Sequence, residues 1–145
     1  MKTILVPLDF SDAAPPVLET AMMMARSFSA RLVLIHVAAP EPAFIGYEPG
    51  PQTVRDVVAR ELTSEHRKLQ ALEKSVREHG LDTTALLMQG YPVEKIVQES
   101  EKIAADLIIM GSHGHGALRH LLVGSVTEGV MRHVHCPVVV VPHHK

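Results

Sequence analysis

Aromatic side chains are scarce in this 145-residue chain: they make up 3% of it, and tryptophan is absent. Single-strand nucleic-acid binders stack bases on such rings, so that platform is missing. Lysine and arginine form no cluster and the formal charge is −2, which argues against an electropositive nucleic-acid face. Cys136 is the one cysteine, so no internal disulfide can form and no oxidising compartment is indicated. Its neighbours His135 and Pro137 raise a reactive-thiol reading, but a small residue leading into a strand is the simpler one. No apolar run approaches the roughly eighteen residues of a spanning helix. The opening run is closed by Pro7 and Asp9 and lacks a signal-peptide core. These absences predict a cytoplasmic protein with neither a nucleic-acid nor a membrane partner. What is present, 46% hydrophobic and 21% charged residues, suits one globular domain over residues 1–145.

The apolar residues fall into short continuous runs separated by helical periodicity. Strands are expected at 3–8, 31–38, 82–88, 106–110 and 137–142. Ser11 or Asp12 is expected to cap a first helix whose first turn holds Pro15 and Pro16. A long second helix is expected from about Thr53 to His79, a third from Pro92 with Val93, Ile96, Val97 and Ala104 inward, and a fourth from Ser125 to near Val134. Residues 39–52, with Pro40, Pro42, Pro49 and Pro51, read as irregular. Apolar strands alternating with helices imply an α/β class: a five-stranded parallel sheet covered on both faces, a three-layer α/β/α sandwich. Ligands in that architecture lie beyond the carboxyl ends of strands, where strand order reverses. Pro7, Leu8 and Asp9 end the first strand, Val37 and Ala38 the second, and Met110 and Gly111 the fourth.

The fourth strand empties into Gly111-x2-Gly114-x9-Gly124-Ser125, a glycine loop that enters a helix. Glycine lets backbone approach a ligand closely, and amides at a helix start form an anion site. No Asp or Glu lies from Leu107 through Thr127, whereas His113, His115, Arg119 and His120 do. Phosphate binding is the reading those residues favour. Ser125 and Thr127 could equally cap the helix, which is compatible with it. Asp9 could bond amides of its own loop, or accept bonds from a ligand. The ten histidines include His113/His115 and His133/His135 at i, i+2, a poor spacing for a helical metal pair, so no metal site is expected. His36 reads as a packed, hydrogen-bonded residue, and His143-His144-Lys145 as a solvated tail.

With these segments assembled, the chain resembles the universal stress protein family, in its ATP-binding branch. The opening Ile-Leu-Val-Pro-Leu-Asp, the Asp-Leu-Ile-Ile-Met-Gly-Ser-His-Gly run, the Leu-Leu-Val-Gly-Ser-Val-Thr-Glu-Gly-Val segment and the closing Cys-Pro-Val-Val-Val-Val-Pro carry the likeness. The resemblance implies a Rossmann-like fold of the adenine nucleotide alpha-hydrolase kind. It implies ATP or another adenine nucleotide as ligand. Mg2+ or Mn2+ is expected with the phosphates, since such ions commonly pair with them. It puts Asp9 beside the adenosine, with Pro7 and Val37 on the adenine side, and counts Leu8 among the nucleotide-binding residues. Met110, Gly111 and Gly114 then border ribose and phosphates, with Ser112 and His113 among the nucleotide-binding residues, and Gly124, Ser125, Val126 and Thr127 wrap the phosphate tail. It also implies a homodimer through Val138 to Val141, and an apolar edge strand there gives pairing physical support. The function so implied is a nucleotide-dependent regulator of stress response with an unknown protein partner. A slow ATPase and a nucleotide-independent dimerising module are the alternatives. Fast phosphoryl transfer is disfavoured, because there is no Gly-x4-Gly-Lys-[Ser/Thr] loop and no lysine between Lys102 and Lys145.

Overall fold

Alternating side chains on strands that are buried from both sides organise the chain into one sheet between two helical layers. The computed structural model describes residues 1–40, 51–113 and 123–143. In chain order these form β1 (Thr3–Pro7), α1 (Ala14–Phe28), β2 (Arg31–Ala38), α2 (Gln52–Glu78), β3 (Thr83–Gln89), α3 (Pro92–Lys102), β4 (Leu107–Gly111), α4 (Ser125–His133) and β5 (Val138–Val141). All neighbouring strands are parallel and run β3-β2-β1-β4-β5 across the sheet. Order therefore reverses between β1 and β4, the two central neighbours whose crossovers leave in opposite directions.

The two-residue period of a strand sends successive side chains to opposite faces. Ile4 and Val6 of β1, Leu32 and Leu34 of β2, and Leu107 and Ile109 of β4 join a core with Val17, Ala21 and Ala25 of α1 and Leu69 and Val76 of α2. Leu5, Val33, Ile35, Ile108 and Met110 join a second core with Ile96 of α3 and Val130 of α4. Burial on both faces is the reason the strand sequences read as unbroken apolar runs. Of the Met22-Met23-Met24 run, Met22 and Met24 pack on the first core while Met23 is exposed.

Several expectations shift at element ends. The N-cap of α1 is Ala13, without a side-chain cap, instead of Ser11 or Asp12. Ser11 is drawn into the preceding turn, where its amide donates to Asp9 Oδ1 and its Oγ accepts from the Ala13 amide. Helix α2 starts at Gln52, one residue earlier than expected, and α3 ends at Lys102. Ala104 consequently lies outside α3, exposed and at φ 48°, and is not inward-facing. At the amino end of the sheet, Asp106 accepts hydrogen bonds from the amides of Lys2 (2.7 Å) and Thr3 (2.9 Å). Those two amides hold its carboxyl below the ordinary 3.8.

Candidate functional site

The central seam of the sheet is registered at one end only. β1 pairs with β2 through five residues, Thr3 to Pro7, and β4 with β5 through four, Ile108 to Gly111. β1 and β4 are in register only at Ile4↔Leu107 and Leu5↔Ile108. Beyond those rungs Val6 and Pro7 continue on one side and Ile109 to Gly111 on the other. Pro7 brings no amide to extend a ladder. The ladder thus stops short of the carboxyl end of the seam, where strand order reverses, and we call that end of the seam the notch.

One lip is the end of β1. Leu8 is buried in the first core and its amide donates to the Ile35 carbonyl at 2.8 Å. The Leu8 carbonyl accepts from His36 Nδ1 at 2.7 Å, which fixes the proton-bearing nitrogen because a carbonyl can only accept. His36, 6% exposed, is the packed histidine expected from sequence. The Phe10 ring packs tilted against it with centroids 4.3 Å apart, and the His36 Nε2 lies 3.3 Å from Glu65 Oε1, off hydrogen-bonding geometry. Pro7 and Asp9 are half-buried at the lip, and Val37 is half-buried at the end of β2.

The other lip is built by β4 and the start of α4. The Gly124 amide donates to the Ser112 carbonyl at 2.6 Å, and the Ser112 amide to the Val141 carbonyl at 2.9 Å. Thr127, 4% exposed, donates its hydroxyl to the Gly111 carbonyl at 2.8 Å, tying the first turn of α4 to the tip of β4. Ser112 is buried, with Oγ 3.0 Å from His113 Nδ1. A Cβ on Gly111 would stand 3.2 Å from the His113 carbonyl oxygen and 3.3 Å from Ala13 Cβ, so glycine lets α1 begin against β4. Met110 and Val126 pack into the second core and bring main chain, not side chain, to the lip.

What this lip offers is donors. Gly124 is the N-cap of α4 and supplies no side-chain acceptor, so among the described residues the amides of the first turn have no capping partner. Those orphan N–H groups and the positive end of the helix dipole favour an anion. The one carboxylate in that turn, Glu128, is bound to Arg132 Nη2 at 2.6 Å. Ser125 is exposed at the helix start.

The candidate residues from the ends of β1, β2 and β4 and from the start of α4 therefore gather at one end of the sheet. Gly114, His115, Arg119 and His120 lie outside the described residues, as do His144, Lys145 and 41–50. His143 corrects the solvated-tail expectation: it is half-buried, and its amide donates to Ser112 Oγ at 3.4 Å. Its only sequence signal was position just after a strand that ends beside β4. Cys136 packs on the second core, and burial pushes its thiol up, opposite to a reactive cysteine. Among the described residues no three His, Cys, Asp or Glu side chains gather to hold a metal, and no helix is long and apolar enough to cross a membrane.

Sheet order, seam and glycine-started helix together describe an α/β domain of the Rossmann-like class. A model of the universal stress protein family matches residues 1–142. A universal stress protein of Thermus aquaticus is 34% identical over 146 residues, covering 97% of this chain and 98% of the relative. The structure of protein MJ0577, from Methanocaldococcus jannaschii, aligns with a TM-score of 0.81 at 31% identity, covering 99% and 97% of the two chains. UspA of Lactobacillus plantarum gives 0.85 at 24%, covering 97% of each. The chain belongs to the universal stress protein family. Two further solved structures share the fold at 22% identity. One is a universal stress protein in complex with cAMP (TM-score 0.65, covering 97% and 96%). The other is that of Archaeoglobus fulgidus in complex with dAMP (0.64, covering 97% of each).

Proposed function

We propose that this chain is a cytoplasmic, homodimeric regulator that binds an adenine nucleotide, ATP with Mg2+ or Mn2+ in the first instance, in the notch between β1 and β4. The observation that carries the reading is the short β1–β4 ladder, which ends at Leu5 and Ile108 beside the uncapped first turn of α4. In this reading Pro7, Leu8, Asp9 and Val37 hold the base and ribose. Met110, Gly111, Ser112, His113 and Gly114 border ribose and phosphates. Gly124, Ser125, Val126 and Thr127 present amides to the phosphate tail, with the Thr127 hydroxyl proton kept for Gly111. The cAMP and dAMP complexes of other family members support an adenine ligand. With no three-residue metal cluster among the described residues, the divalent ion would arrive with the phosphates.

Regulation suits these residues better than rapid hydrolysis, since the described lips offer no lysine to clamp a transferring phosphoryl group. Strand β5 supports the dimer: it is an outer strand of the sheet, four valines long, with an edge that a second copy would cover.

Mass spectrometry of nucleotide released from undialysed protein, followed by titration calorimetry with ATP and Mg2+, tests the proposal. Binding that Gly124→Val abolishes is the expected result; φ −71° at Gly124 is open to valine, so the fold should survive. Calorimetry silent toward every adenine nucleotide would overturn it. Sedimentation equilibrium reading a monomer would remove the dimer.

A further inference from the structure

The β1–β4 ladder stops at Leu5, and beyond that rung β2 does the fastening. Past Pro7 two bonds reach the lip from β2. The Leu8 amide donates to the Ile35 carbonyl at 2.8 Å, and His36 Nδ1–H donates to the Leu8 carbonyl at 2.7 Å. The second bond fixes the peptide that joins Leu8 to Asp9. Phe10 follows at φ 59°, left-handed backbone that a bulky side chain rarely adopts. Such a residue persists only where its surroundings hold it. Here its ring lies against the His36 imidazole, with the Lys68 ammonium of α2 5.7 Å from its centroid. One imidazole thus braces the chain on both sides of Asp9.

The other nitrogen of that ring is left over. Nδ1 carries the proton given to Leu8, so Nε2 of the neutral ring presents a lone pair. Nε2 is buried without a hydrogen-bond partner, 3.3 Å from Glu65 Oε1. A lone pair facing a carboxylate gains nothing, and a buried polar atom without a partner destabilises. Uptake of one proton changes the sign. Nε2–H then becomes a charge-assisted donor to Glu65, while the bond to Leu8 is kept, because both nitrogens of an imidazolium donate. The charged groups set around the ring are Glu65 and, beyond Phe10, Lys68 from α2, with Asp9 one residue past the carbonyl it holds. Its registered neighbour in β3 is the apolar Leu87.

We propose that His36 is a positioning residue for the adenosine side of the notch, and that Glu65 makes its hold tighten when the ring takes up a proton. Resting on the notch reading, this adds regulation to it: nucleotide binds more tightly as pH falls across the range in which imidazole charges, about 8 to 6. The sign follows from linkage. A ligand that needs residues 8–10 in place binds better to the doubly anchored, protonated form, and favours proton uptake in return. At 6% exposure His36 acts through the lip and presents little of itself to a ligand.

Titration calorimetry with ATP and Mg2+ at about pH 6 and pH 8 tests this on wild type, Glu65→Gln, His36→Asn and His36→Leu. ATP and the remaining histidines titrate alike in all four proteins, so the difference in pH response isolates the pair. A hydrogen bond to a charged group is worth about tenfold in an equilibrium constant, and a lip that receives part of it should show about threefold. Wild type should therefore gain about threefold more affinity from pH 8 to pH 6 than Glu65→Gln, whose amide can donate to Nε2 without a proton. His36→Leu has no donor for Leu8 and should bind about tenfold more weakly at both pH values. His36→Asn, whose amide can stand in for Nδ1–H, should recover part of that loss but not the pH response. Glu65 is half-buried and glutamine keeps its size, so this variant decides the matter even if the leucine variant fails to fold. An equal pH response in wild type and Glu65→Gln, or unchanged affinity in His36→Leu, would overturn the inference and leave the notch in place. ATP binding that is absent, or indifferent to Gly124→Val, would remove the notch reading and this inference with it.

Discussion

Thr127→Val removes one hydroxyl from the lip of the notch and changes almost nothing else. Valine keeps the shape of threonine, so no cavity opens and the helix keeps its branched residue. What disappears is the 2.8 Å bond from Oγ1 to the Gly111 carbonyl, at a residue 4% exposed. A buried acceptor left without its donor costs about 1–3 kcal/mol. For a domain of this length each kcal/mol lowers the melting temperature by roughly 2–4 °C, so a loss near ~2 kcal/mol should read as about 6 °C. Urea unfolding gives the cleaner number: the midpoint should fall with the m-value unchanged, since the surface exposed on unfolding is the same. Thr127→Ser restores the hydroxyl while losing a methyl, and should recover at least half of the difference. A valine variant within about 0.5 kcal/mol of wild type, the range of a neutral surface change, would refute the bond's role in fixing α4 to β4.

Two further predictions concern other contacts. A Cβ on Gly129 of α4 would stand 2.7 Å from Val93 Cγ2 of α3. Gly129→Ala should therefore destabilise by about 1 kcal/mol, because overpacking of about 1–3 kcal/mol exceeds the roughly 1 kcal/mol gained in helix propensity. In a Val93→Ala background the sign should reverse, and stabilisation in both backgrounds would refute the close approach. The Asp106 carboxyl is held below 3.8 in the folded state, so its contribution is present above the unfolded value and is lost as pH falls through the lower, folded one. Asp106→Asn should lower the urea midpoint at pH 7 and flatten its decline below about pH 4. A decline as steep as that of wild type would show that the carboxylate is not linked to folding.

Most of the fold was legible because parallel strands are buried on both faces. Runs such as Leu32 to Ile35 and Leu107 to Met110 have no polar interruption, and the bounds of β2 match those read from sequence. Errors collected where a polar side chain had a choice of partner. Ser11 has the residue type and place of a cap, yet it completes a turn with Asp9, and only the three-dimensional course of the loop decides between the two. Ala104 continues the apolar spacing of α3 but follows the point where the helix has ended. At the candidate site, spacing singled out Gly111 and Gly124, and the family resemblance singled out Thr127. Their separate duties were not legible: Gly111 makes room for Ala13, Gly124 starts a helix without competing for its amides, and Thr127 reaches back to β4. Gly129 and His143 depend on Val93 and Ser112, neighbours far away in the chain. Such partners have no local signature.

Asp106 fastens the sheet's midline at one extremity, where one carboxyl oxygen gathers the amides of Lys2 and Thr3, and two rungs later the ladder stops. A joint laddered at its root and unladdered at its mouth has no strand-to-strand backbone bond to break where the two tips part. If the proposed reading holds, ligands of different size could be admitted there without unpairing the strands, and discrimination among them would fall to the groups around the mouth.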